Sequence, residues 1–179
     1  MIIWLNGAFG AGKTTTATEL ASLMPGARIC DPEIVGYLLM EYLKDRDLHD
    51  FQDVPPWRSL VPVVLGEIAG LTGQDLIAPQ TVLNEGYWSE LRRGFERHSL
   101  EVYHVVLHVD PRPLLERINA DGVERKARAW RIDHVRDYAT ARGWLTATAD
   151  LTVDVTALSA AEGASAILEA LKPAGAGAL

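Results

Sequence analysis

The chain has 179 residues, 48% of them hydrophobic and 23% charged, with a formal net charge of −7. That is enough apolar material for a buried core without disulfides, and it is far from the composition of a disordered chain. The negative balance excludes a general attraction to nucleic-acid phosphates or anionic membranes, so any anionic ligand has to be held by a local site.

Short apolar runs alternate with longer helical patterns, the mark of an α/β fold with a parallel sheet. The chain opens on Met1-Ile2-Ile3-Trp4-Leu5, which lacks a basic lead and runs straight into glycines, so it reads as a strand and not a signal peptide. Five strands are expected: Ile2 to Asn6, Ala27 to Cys30, Asp75 to Pro79, Val102 to Val109 and Leu151 to Val155. Helices are expected to begin near Lys13, Pro32, Trp57, Tyr87 and Arg112, with a last one from Ala160 to Leu171. Pro25-Gly26 stops the first helix, because proline cannot continue the hydrogen-bond ladder and glycine accepts the left-handed turn. Ser159 and Glu162 have capping-box spacing and start the last one.

Two stretches read as irregular, Asp45 to Pro56 and the basic segment Asp121 to Arg131. Both lie between regular elements, where a lid or substrate loop is inserted. The glycine-rich tail, residues 173–179, reads as flexible. Cys30 is the only cysteine, which suits a reduced, cytoplasmic setting and a structural thiol. No run approaches the roughly 18 apolar residues that span a bilayer, so stable membrane insertion is not expected. His104 and His108 share a strand face but lie roughly 13 Å apart, too far to chelate one ion.

The strongest motif is Gly7-Ala8-Phe9-Gly10-Ala11-Gly12-Lys13-Thr14, a full glycine-rich phosphate loop between an apolar strand and a helix. Its glycines let backbone N–H groups curl around phosphate oxygens, and the helix adds its positive dipole end. Gly7, Gly10, Ala11, Gly12, Lys13, Thr14 and Thr15 are therefore the expected nucleotide contacts. Lys13 would reach the β and γ phosphates and Thr14 would bind Mg²⁺. The donor is ATP or GTP: the base site, expected around residues 154–158, is shaped by backbone that side-chain letters do not read. No guanine-reading Asn-Lys-x-Asp run is present. The basic run that holds Arg125, Arg128 and Arg131, with Arg117 before it, has two readings: a lid that closes positive charge over the transferring phosphate, or a solvated helix face.

Asp31 ends the second strand, and ligands of parallel sheets gather at carboxyl ends. Asp31-Pro32-Glu33 is also a well-made helix start, and the two roles are compatible. The third strand carries its acid, Asp75, at the entry end and none at Pro79 or Gln80. Asp31 is thus the best-placed carboxylate to orient or deprotonate an acceptor hydroxyl and to share the metal, ahead of Glu85 and Asp110.

With these residues placed, the opening through Thr14, Asp31-Pro32-Glu33 with Gly36, and Asp50-Phe51-Gln52 with Pro56-Trp57-Arg58 resemble the tunicamycin-resistance ATP-binding proteins, a group that includes phosphotransferases of capuramycin-type nucleoside antibiotics. The resemblance is clear over about a third of the chain. It implies a three-layer P-loop NTPase, nucleoside- or shikimate-kinase-like, with a central five-stranded parallel sheet and a helical lid. One kinase domain, residues 1–172, would carry the lid at about 121–131 and an acceptor-side loop at about 45–58. The implied activity is phosphorylation of an antibiotic hydroxyl, with antibiotic and nucleoside triphosphate as small-molecule partners, no nucleic acid, and a homodimer left open. Sequestration of the drug without modification, or phosphorylation of a small metabolite, are the alternatives. On the acceptor side Glu33 joins Asp31. Trp57 is either a stacking face for a base or sugar or the start of a core helix, Arg58 would pair with an anionic group, and Glu67 faces either the acceptor or solvent.

Overall fold

The computed structural model describes residues 1–48, 50–120, 122 and 125–172, without the side chains of 125–127. Strands and helices alternate in the order β1 (Ile2–Gly7), α1 (Lys13–Leu23), β2 (Arg28–Ile29), α2 (Glu33–Tyr42), α3 (Pro55–Thr72), β3 (Leu76–Pro79), α4 (Glu85–Arg97), β4 (Val102–His108), α5 (Pro111–Ala120), α6 (Arg125–Thr148), β5 (Leu151–Asp154) and α7 (Ala160–Leu171). The strands form one parallel sheet in the order β2-β3-β1-β4-β5. This is the expected three-layer P-loop kinase-like fold, with its five strands where the apolar runs lie.

Helices cover both sheet faces, which is why β1 can be apolar at every one of its first four positions. Ile3 and Leu5 point into a core shared with α1, α5, α6 and α7, through Leu20, Leu114, Leu145 and Ile167. Ile2 and Trp4 point to the opposite core, built with α3 and α4 around Trp57, Trp88 and Phe95. The Trp4 ring centroid lies 5.5 Å from Trp88 and 5.8 Å from Phe95. The two helices of that layer approach so closely that a Cβ on Gly94 would sit 2.5 Å from the Pro62 ring.

Several boundaries differ from the sequence reading. β2 has two residues, because only Arg28 and Ile29 pair with β3. α3 starts at Pro55, which suits proline at a first-turn position where no N–H is needed. α4 starts at Glu85, because the Asn84 side chain accepts from Tyr87 N at 3.2 Å and caps it. The capping box of Ser159 and Glu162 is present, and α7 runs over Ala160–Leu171 as expected. The largest correction concerns residues 125–131, read as irregular, which begin a 24-residue helix that the pattern did not reveal. Its buried positions, Tyr138, Ala141 and Leu145, recur at helical spacing but are diluted by a polar surface. The tail 173–179 lies outside the described residues.

Beside the sheet's centre, His104 of β4 has no exposed surface. Its Nδ1 lies 3.3 Å from Thr148 O, which can only accept, so Nδ1 carries the proton and Nε2 accepts from Asn6 Nδ2 at 3.4 Å. Its ring packs 4.2 Å from Trp88. Burial lowers its pKa to about 4. The folded chain thus holds fewer protons here than the unfolded one, and the contribution of neutral His104 is whole above pH ~6.5 and lost as pH falls from there toward 4. Urea titrations should show a loss on the order of 3 kcal/mol across that window, and His104→Gln should flatten it. An equally steep decline in the variant would place the acid sensitivity elsewhere.

Candidate active site

At the end of β1 the chain leaves the sheet and folds back on itself before α1. Gly7 (φ 141°) passes so close to β4 that a Cβ there would lie 2.5 Å from Leu107 O. Gly10 (φ 84°) faces α5, with 2.7 Å from its Cβ position to Ile118. Both positions require glycine on conformation and on space. Lys13, the first residue of α1, turns back so that Nζ donates to Ala8 O at 2.8 Å and Gly7 O at 3.4 Å. Burial lowers its pKa to about 7, with Glu33 opposing the shift and Arg131 adding to it. Thr81, in the β3–α4 connection, donates its hydroxyl to Gly7 O at 3.0 Å and fixes the loop from the other side.

A cleft of about 410 Å³ lies over this loop, and Lys13, Thr14, Asp31, Glu33, Arg117 and Arg131 line it. Gly10, Gly12 and Thr15 line it too, while Gly7 and Ala11 lie buried behind. Asp31 does what a helix-start residue does, its Oδ1 accepting from Glu33 N at 2.9 Å. No hydrogen bond among the described residues uses its second oxygen. Burial pushes its carboxyl up from the ordinary range, against the lowering effect of that backbone bond. Arg117 reaches the cleft from α5 and donates to Val155 O (2.6 Å) and Thr156 O (3.1 Å), anchoring the connection after β5. A hydroxyl from Thr14 and a carboxylate from Asp31 at one cleft fit Mg²⁺, which takes a few protein oxygens and completes its shell from phosphate and water. Among the described residues no group of three or more His, Cys, Asp or Glu could hold an ion unaided.

Not every candidate belongs to this space. Trp57 has no exposed surface, and its Nε1 donates to Pro32 O at 3.1 Å, so it is a core residue that ties α3 to the start of α2 and has no face for a ligand. Arg58 is buried as well: Nε donates to Glu90 Oε2 at 2.7 Å, Nη1 to Gln52 O, and the guanidinium lies over the Tyr87 ring at 4.1 Å. It is a strut between α3 and α4. Glu67 is exposed on α3. In the basic segment, Arg131 lines the cleft and Arg128 does not, while the side chain of Arg125 lies outside the described residues. Arg131 is brought over the loop by α6, whose Trp130 and His134 rings pack on Phe9 at 4.4 and 5.5 Å. The sequence reading missed Phe9, Thr81 and Gln80 as site residues. Only the position of Phe9 inside the loop offered a signal.

The chain is similar in structure to the tunicamycin resistance protein of Deinococcus radiodurans, with 28% identity and a TM-score of 0.75 over 94% of this chain and 93% of that one. It is also similar to shikimate kinase from Bacteroides thetaiotaomicron (16% identity, TM-score 0.66, 94% and 96% covered). The APS kinase of Mycobacterium tuberculosis, solved with AMPPNP and APS, is a third such structure (19% identity, TM-score 0.64, 95% and 96% covered). These last two share the fold. No curated protein matches the chain. The AAA domain family matches residues 2–142, most of the chain, and the protein belongs to that family.

Proposed function

We propose that the protein is a phosphotransferase that moves the γ-phosphate of a nucleoside triphosphate to a hydroxyl of a nucleoside antibiotic of the tunicamycin or capuramycin type. The observation that carries this reading is that the Asp31 carboxylate opens on the same cleft as Lys13, Thr14, Arg117 and Arg131. The likeness to a tunicamycin resistance protein supports the class of acceptor.

In this mechanism Lys13 leaves the Ala8 and Gly7 carbonyls and donates to the β and γ phosphates, while the loop amides hold the remaining oxygens. Arg117 and Arg131 face the charge that spreads over the equatorial oxygens. Thr14 and Asp31 would hold Mg²⁺, which when bound neutralises phosphate charge. The second oxygen of Asp31 orients the acceptor hydroxyl and takes its proton as the new O–P bond forms. The raised affinity of Asp31 for a proton suits that step. Phe9 borders the cleft on the α6 side, with Trp130 and His134 packed against it from α6, and helps to exclude water.

Incubation with ATP, Mg²⁺ and tunicamycin or capuramycin should add one phosphoryl group to the drug, read by mass spectrometry. An unchanged drug mass together with tight drug binding would instead mean sequestration. Asp31→Asn should lower transfer by about 10²–10⁴-fold, the usual contribution of a general base, while asparagine keeps the cap and hence the fold. Transfer at the parent rate would leave Asp31 only its capping role.

Nucleotide binding should also take up a proton. Burial lowers the Lys13 pKa to about 7, and a phosphate beside it raises that value. Affinity should therefore be highest below pH 7 and fall by up to about tenfold per pH unit above it, until the pKa of the complex is reached. Calorimetry in buffers of different ionisation enthalpy measures the proton directly, and Lys13→Met should both weaken binding and abolish the uptake.

A further inference from the structure

Phe9 separates the phosphate cleft from two further cavities of about 430 Å³ each. One lies under α6, with Asp53, Tyr87, Asp137 and Trp144 in its wall. The other lies toward α2, with Glu33, Tyr37, Gln80 and Trp130. Asp50 and Gln52 line both, so the two adjoin.

Charge is uneven along this space, although the phosphate end also holds the carboxylates of Asp31 and Glu33. Lys13, Arg117 and Arg131 gather at the phosphate end, and Arg131 also borders the α2-side cavity. Beyond Phe9 the ionisable groups are the carboxylates of Glu33, Asp50, Asp53 and Asp137, with His134 the one other basic side chain among the described lining residues. Asp50 and Asp53 each use one oxygen locally, accepting from Gln52 N and from the Tyr87 hydroxyl, both at 2.9 Å. Asp137 lies 3.8 Å from His134 Nε2. Burial holds the Asp50 carboxyl above its ordinary range, and the charges of Asp53 and Glu33 add to this.

A second, separate feature points the same way. Gln80 is 1% exposed; its Nε2 donates to Thr81 O at 3.1 Å, but its Oε1 has no hydrogen-bond partner. A buried acceptor without a donor is costly, and such groups are usually completed by a ligand or water. Carboxylates and an unmet amide oxygen all call for donors.

We propose that this double cavity is the acceptor subsite and selects hydroxylated compounds rich in N–H and O–H donors, cationic ahead of neutral and neutral ahead of anionic, with Asp50 and Asp137 as the specificity-determining carboxylates and Gln80 Oε1 accepting an N–H. Anionic acceptors are turned away by the same groups. The inference rests on the phosphotransferase reading only for the word acceptor: the charge preference stands on the cavity itself.

The test uses the full chain saturated with Mg²⁺ and AMPPNP and three compounds of one skeleton: 2-amino-1-phenylethanol, 1-phenylethane-1,2-diol and mandelate, which are cationic, neutral and anionic. Calorimetry should find millimolar or tighter binding of the amine, at least about tenfold tighter than mandelate, with the diol between. Asp50→Asn and Asp137→Asn should each erode that preference about three- to tenfold, and Asp137→Lys should shift it toward mandelate. Retained AMPPNP affinity shows that the variants are folded. Mandelate binding as well as the amine, no amine binding at millimolar concentration, or a preference unmoved by all three substitutions would overturn the proposal. Because binding is read without turnover, amine selectivity in a protein that phosphorylates nothing would sink the phosphotransferase reading alone.

Discussion

The site depends on one buried side chain, Asn6, at the penultimate position of the central strand. Its Oδ1 accepts from Gly7 N at 2.8 Å and Val82 N at 2.9 Å. Its Nδ2 donates to Val82 O at 3.1 Å and approaches His104 Nε2 at 3.4 Å. An amide with both faces satisfied inside a low-dielectric core fixes geometry strongly, because any displacement strands several polar groups at once. One residue therefore locks the exit of β1, the connection after β3 and the middle of β4 into a single frame. The phosphate loop starts from that frame, and Thr81 ties it down a second time through Gly7 O. Aspartate would accept from the two N–H groups but strand Val82 O and His104 Nε2, and leucine would satisfy neither side.

From this fixed origin the chemistry is arranged by sheet topology. β1 lies between β3 and β4, so residues following all three strands meet above it. α1 delivers Lys13, the start of α2 delivers Asp31 and Glu33, α5 delivers Arg117, and α6 delivers Arg131. No two of these elements are neighbours in function without the sheet to hold them. Lys13, Arg117 and Arg131 collect where the loop can present phosphate to them, beside Asp31 and Glu33, while the side beyond Phe9 is richer in carboxylates.

How much of this was legible in the sequence follows from where each feature stores its information. The phosphate loop was readable because its backbone demands glycine at fixed positions, as Gly7 and Gly10 show with their positive φ and crowded Cβ sites. The central strands β1 and β3 were readable because they are buried on both faces and hence continuously apolar, whereas the edge strands β2 and β5 are largely exposed. Asp31 could be placed because a strand end and a helix start fall side by side. α6 was not legible, since Tyr138, Ala141 and Leu145 are few among charged neighbours. Arg58 was misread because its partner Glu90 is 32 residues away, and nothing local distinguishes a buried strut from an anion-binding arginine. Asp50, Gln80 and Asp137 become neighbours only through folding.

The length of α6 has a mechanical consequence. At 24 residues it is a rod of about 36 Å, and it carries Trp130 and His134 over Phe9 at one end while burying Leu145 at the other. Between them the Tyr138 hydroxyl meets His108 Nδ1 at 3.0 Å, against the edge of β4. Because Trp130 and His134 sit on this rod, shifting them off Phe9 would move the helix that is packed at Tyr138 and Leu145, as a lever about its fulcrum, and would couple the space above Phe9 to packing on the sheet.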